Sequence, residues 1–133
     1  MLDVITPPGW APPIGYANGI LAPAGNILFI AGQVGWDAEQ KFQSTELAPQ
    51  FDQALQNVLA ILKTAGGAPQ NICRITAFCC DKPAYLAARK SLGPIWRKHM
   101  GDHYPAMSMI FVADLLDSPG IIELEATASL PVT

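Results

Sequence analysis

An apolar stripe at helical spacing lies between two strand-like runs, and this alternation constrains the fold more than any other feature. Leu47, Phe51, Ala54, Val58 and Ile61 recur every three or four residues, and Leu55 and Leu62 widen the stripe. Gly66 and Gly67 supply the stop, so the spacing predicts an amphipathic helix over Thr45 to Thr64. Before it, Asn26 to Val34 (NILFIAGQV) reads as a strand bounded by Gly25 and Gly35; after it, Ile72 to Cys80 reads as another. Asp81 and Pro83 open a second helix with Tyr85, Ala88, Leu92 and Ile95 on its apolar face. Gly93-Pro94 inside that pattern predicts a kink or break. Met107 to Val112 and Ile121 to Leu130 are the last two strands, joined by a turn at Asp117, Ser118, Pro119 and Gly120. The first 25 residues, rich in proline and glycine, read as an extended segment with turns and a short hairpin through Tyr16 to Ala22, and Asp37 to Ser44 as a loop. Strands, helix, strand, helix, strand, strand is the order of an α+β fold, with two helices on one face of a mixed sheet. No repeat or linker interrupts it, so residues 1–133 are expected to form a single domain.

Half of the 133 residues are hydrophobic and only 14% are charged, against roughly 25% in a typical soluble domain. A domain this small has much surface for its volume, so scarce charge leaves apolar surface to hide, and burial between identical subunits is expected. No apolar stretch reaches the roughly 18 residues of a membrane span, and Met1 to Pro13, with Asp3 and no basic start, does not read as a signal peptide. The net charge is −3 and the eight basic residues are scattered, which argues against a nucleic-acid partner. Cys73, Cys79 and Cys80 form no CxxC pair and fall in one strand, so they fit neither a disulfide framework nor a zinc site. A reducing cytoplasm is the expected location.

Five segments, in order, resemble the RidA/YjgF family of small trimeric enamine and imine deaminases. Ile14-Gly15-Tyr16-Ala17 is similar to the family's Gly-Pro-Tyr segment, and Ile30-Ala31-Gly32-Gln33-Val34 to its Ser-Gly-Gln strand. Gln53 to Val58 with Ala65-Gly66 resembles the first helix and its end. Pro105-Ala106 ahead of a strand, and Ile122-Glu123-Leu124-Glu125-Ala126, complete the set. The resemblance implies a chorismate-mutase-like fold. Three subunits would pack their sheets into a central barrel, with helices outside and a cleft between each pair of subunits. In the family that cleft hydrolyses enamines or imines to a keto acid and ammonia without metal or organic cofactor.

Carried over residue by residue, Tyr16 aligns with a tyrosine that lines the cleft from a neighbouring subunit, or else packs across the subunit boundary. Glu123 aligns with the glutamate that holds or activates the attacking water. Alternation puts Glu123 and Glu125 on one face of the last strand, where each raises the other's pKa if water is excluded; a solvated strand face is the alternative. Met107 stands where active relatives carry a carboxylate-gripping arginine, and methionine offers neither the charge nor the paired hydrogen bonds. Met109, two residues on, shares its face, so the cleft floor is expected to be apolar and adaptable unless both methionines are core filler. Arg89 on the second helix either compensates from the other wall or is a solvated helix residue. Ala31 replaces the family's serine, leaving the Gly32 backbone as a donor, and Trp36 caps the cleft or anchors an interface. His99 and His103 lack partners for a metal, and Cys79 and Cys80 point to opposite faces, so at most one could act as a nucleophile.

These readings lead to a hydrolase of enamine, imine or related C–N bonds, its substrate changed by Met107, in a cytoplasmic homotrimer with inter-subunit clefts. The competing reading is a non-catalytic trimer that binds a small molecule or a protein. Ribonuclease activity, ascribed to some relatives, is disfavoured by the acidic balance.

Overall fold

The computed structural model describes residues 1–132. Its elements run β1 (Asp3–Ile5), β2 (Gly19–Leu21), β3 (Asn26–Val34), α1 (Leu47–Thr64), β4 (Ile72–Cys79), α2 (Lys82–Met100), β5 (Ala106–Phe111) and β6 (Ile122–Leu130), with a short 3-10 turn at Pro69–Asn71 before β4. The main sheet is mixed, in the order β3-β6-β4-β5. β6 runs antiparallel to both β3 and β4, while β4 and β5 are parallel. A parallel pair cannot be joined by a tight turn, so α2 serves as the crossover between β4 and β5. The expected α+β arrangement, two helices on one face of a mixed sheet, is what forms.

Strand alternation divides the sheet into a covered and an open face. Ile75 and Ala77 of β4 and Ile122 and Leu124 of β6 are fully buried under the helices. α1 meets them with Ala54, Leu55, Val58 and Leu62, and α2 adds Trp96 and Met100. Each large aliphatic side chain buried this way contributes about 1.5–3 kcal/mol. α2 begins as the sequence predicts: Asp81 accepts a hydrogen bond from the Ala84 N–H at 3.0 Å, with Pro83 in the first turn.

Two expectations for local structure change. α2 runs unbroken from Lys82 to Met100 through Gly93-Pro94. Pro94 is exposed, so water can serve the carbonyl it leaves unbonded one turn back and the helix need not break. The N-terminal hairpin is also longer-range than expected, because Gly19–Leu21 pairs with Asp3–Ile5 rather than turning back within residues 16–22. Between these two strands the chain touches the main sheet: the Ala17 N–H donates to Pro105 O at 2.9 Å, fixing residues 14–17 beside the start of β5.

Candidate functional site

The acid–glycine pair sits on the open face. On β6, Ile122, Leu124 and Ala126 are buried beneath the helices while Glu123 is half-buried and Glu125 exposed on the other side, as alternation predicts. Glu123 lies in register between Val34 of β3 and Phe78 of β4. An irregularity in β3 between Ile30 and Gln33 carries Gly32 directly under the Glu123 carboxylate. A methyl group added at Gly32 would come within 2.0 Å of Glu123 Oε2, so only a bare backbone accommodates the acid in this position. Burial raises the Glu123 pKa above the usual carboxylate value, and Asp117 and Glu125 push it further in the same direction. The shift favours the protonated form of this carboxyl group relative to an exposed glutamate.

Ala31 and Glu125 lie further along the same face. They line a groove of about 390 Å³ together with Phe29, Arg74, Thr76 and Thr127. Trp36 stands at the Glu123 end of the sheet, its ring 5.7 Å from that of Phe42, and its carbonyl accepts a 2.7 Å hydrogen bond from Asn57.

The methionines occupy different ground. Met107 and Met109 pair in register with Ile75 and Ala77, so they face the helices and not the side that carries Glu123. With Tyr85, Leu92, Trp96 and Tyr104 they line an apolar pocket of about 290 Å³. Trp96 stacks on Tyr104 at 5.9 Å and donates to His103 O at 3.1 Å, which stiffens one wall. Ile14 and Gly15 complete the rim. Tyr16, the next residue, is 42% exposed beside the β5 edge, two strands away from Glu123. Within one chain, therefore, the structure joins Glu123 to Gly32, and Met107 to Met109, but it does not join the two groups.

Arg89 is exposed and takes no part in lining the methionine pocket; the arginine that does is Arg97, two turns further along α2. The sequence held a signal for it, since Gly93 precedes Arg97 by one helical turn and leaves room for a guanidinium to fold back. Asp117, which acts on Glu123, lies in the turn that precedes β6, and its place in the sequence marks the turn without revealing the acid it faces.

Other polar residues hold the structure together. His99 Nε2 lies 2.6 Å and Lys98 Nζ 3.0 Å from the carboxylate oxygens of Asp52, linking α2 to α1. Burial opposes ionisation of Asp52, but hydrogen bonds from His99, Gln56 and Lys98 outweigh it and hold the pKa at about 2. His103 bonds to Ile72 O at 2.7 Å. Burial raises the pKa of all three cysteines, which keeps them thiols and poor nucleophiles. Among the described residues no cluster of His, Cys, Asp or Glu is arranged to hold a metal, and no helix is long and apolar enough to cross a membrane.

Comparison with known proteins gives this geometry a family setting. A RutC family protein of Pyrococcus horikoshii is 30% identical over 130 residues, which cover 96% of this chain and 98% of that protein. Reactive Intermediate Deaminase A of Arabidopsis thaliana chloroplasts is 32% identical over 108 residues, covering 80% of this chain and 55% of that protein. Among solved structures, YyfB of Yersinia pestis, a protein of unknown function in the conserved Rid family, superposes with a TM-score of 0.85 at 33% identity, covering 97% of this chain and 98% of its own. The sequence model of the Endoribonuclease L-PSP family matches residues 10–130, nearly the whole length, and the chain belongs to that family, the RutC/RidA group.

Proposed function

We propose that the protein is a RidA-like hydrolase of enamines, imines or related C–N compounds, built as a single domain and working as a cytoplasmic homotrimer with clefts between subunits. The observation that carries this reading is the Glu123 carboxyl group, lying against bare Gly32 with its proton affinity raised by burial. Water adds to the carbon of a C=N bond as Glu123 takes its proton. The same proton passes to nitrogen, and the carbinolamine collapses to a carbonyl compound and ammonia. An enamine enters the sequence after protonation at carbon gives the imine. The scheme needs no metal or organic cofactor.

Assembly is supported by the open face, where Phe29 is 78%, Ile27 50% and Ile110 42% exposed. It is also supported by the separation of Glu123 from the β5 edge, since a second copy is what can set Tyr16 and Met107 of one subunit against Glu123 of another. In that cleft Tyr16 and the Gly32 backbone are hydrogen-bonding groups, Ala31 and Trp36 form wall, and Met107 and Met109 form an apolar floor. A small α-imino acid held only by its carboxylate is a poor fit to such a floor; a bulkier or less acidic substrate fits better. The methionines and Ala31 equally favour a second reading, a trimer that binds a small molecule without turning it over.

Ammonia release from a panel of enamines and imines separates the two. The panel includes 2-iminopropanoate generated in situ and an aminomuconate-type compound. Turnover of a bulky member, lost in Glu123→Ala, is the expected result. Silence of the native chain across the panel, with iminopropanoate hydrolysis appearing only in Met107→Arg, would establish the binding protein instead.

A further inference from the structure

The methionine-lined pocket carries one charge on its wall, and it is positive. Arg97 lines the pocket alongside Leu92, Trp96, Met107 and Met109, which are apolar or aromatic. Among the described residues Arg97 makes no ion pair, although α2 carries Lys98 and His99 beside it and both of those engage Asp52. Its guanidinium is folded back toward the preceding helical turn. A methyl group at Gly93 would lie 3.3 Å from Arg97 Nη1, so a larger residue there would crowd the group away from its present place. Arg97 is itself exposed, so its guanidinium stands at the pocket's rim, open to both the pocket and water. An unpaired guanidinium at an apolar pocket selects a ligand with an anionic end and an apolar body, and its planar fork suits a carboxylate better than an ammonium would.

We propose that Arg97 is the specificity-determining residue of the methionine pocket: its guanidinium binds the carboxylate of a ligand whose branched or aromatic body lies on Met107 and Met109. Position 107 then contributes apolar contact rather than charge, and the anion contact has moved from strand β5 to helix α2. The bulky class of substrate in the preceding section is thereby narrowed to carboxylates of hydrophobic acids. The proposal rests on that reading for its setting and not for its chemistry, because binding in this pocket does not require turnover by Glu123.

Calorimetric titration of the full chain in its native assembly at low salt tests it, with phenylacetate and its neutral isostere phenylacetamide as probes. The expected result is a phenylacetate affinity about 10- to 100-fold above that of phenylacetamide. In Arg97→Gln that ratio falls toward one while phenylacetamide binding is unchanged, and Arg89→Gln keeps the native ratio. Arg97→Lys retains the charge without the fork and keeps part of the preference, which decides the matter if the glutamine variant is poorly folded. Failure of the native protein to bind phenylacetate, equal binding of the two probes, or a full preference surviving in Arg97→Gln would overturn the proposal. Loss of ammonia release with an intact phenylacetate preference removes the hydrolase reading and leaves this one; turnover of uncharged substrates with no preference does the reverse.

Discussion

The two faces of the sheet use the same alternation to opposite ends. On the helix side alternate residues of β6 and, past the irregularity that follows Ile72, of β4 are apolar and buried, and the chain covers that face by itself. On the other side Phe29, Ile27 and Ile110 stand exposed beside Glu123, Glu125 and Arg74, a mixture that neither packs as a core nor dissolves as a polar surface. The covered face accounts for stability within one chain, while the open face is left uncovered by that chain and is the face assigned to subunit contact in the proposed trimer. The contrast teaches that a half-exposed acid here is kept by local backbone geometry, at Gly32, and not by a surrounding core.

Substitutions on each side can break or sharpen that contrast. The largest effect is expected on the open face: Glu123→Ala should lower kcat for ammonia release about 10²- to 10⁴-fold while the melting temperature changes little. Gly32→Val, which drives the carboxylate from its place, should cost a comparable factor, and activity surviving in that variant would show that Glu123 is not where proton transfer occurs. On the covered face, Leu55→Ala should lose about 2–5 kcal/mol in denaturant unfolding, because Leu55 is fully buried between helix and sheet. If the proposed trimer forms through the open face, Phe29→Ser should leave the helical signal intact yet shift sedimentation in analytical ultracentrifugation from trimer toward monomer.

Smaller effects separate the two acids by the sign of their pKa shifts. Asp52 is depressed to about 2 from 3.8, so its ionised form contributes fully to stability above the higher value, and that contribution declines below it and is lost as pH falls through the lower one. Asp52→Asn should therefore cost about 0.5–1 kcal/mol at pH 7, less at pH 2, and nothing only once the pH lies well below the folded value. Glu123 is shifted upward, so the folded chain holds its proton more tightly than the unfolded chain, and ionising it as pH rises opposes folding. The acid limb of a kcat/KM profile should accordingly lie above the ordinary glutamate value of 4.5.

Much of this was legible from period and punctuation. The stripe from Leu47 to Leu62 became α1, and the alternation from Ile122 to Ala126 placed Glu123 and Glu125 on one face. What was not legible depends on pairing. No local pattern says that β3 slips between Ile30 and Gln33, so the approach of Gly32 to Glu123 could not be read from either strand alone. The register of β5 against β4 turns Met107 toward the helices, which a single strand's alternation leaves undecided. Strand β1, three residues ahead of a proline-rich stretch, carries too short a signal to be found, and the intact α2 shows that an exposed proline is a weaker stop than its sequence suggests.

Gln50, buried at the start of α1, gives the fold a clasp. Its amide nitrogen donates to Ser44 O and Pro119 O at 3.0 Å each, and its Oε1 accepts the Ile121 N–H at 2.8 Å. One side chain thus holds together stretches of chain some 70 residues apart, including the turn that delivers Asp117 and Glu123. The Ile121 amide can trade its hydrogen for deuterium only when that clasp opens. Its exchange rate becomes a clock for how often the acid's supporting turn lets go of the helix, and it can be followed without any substrate in hand.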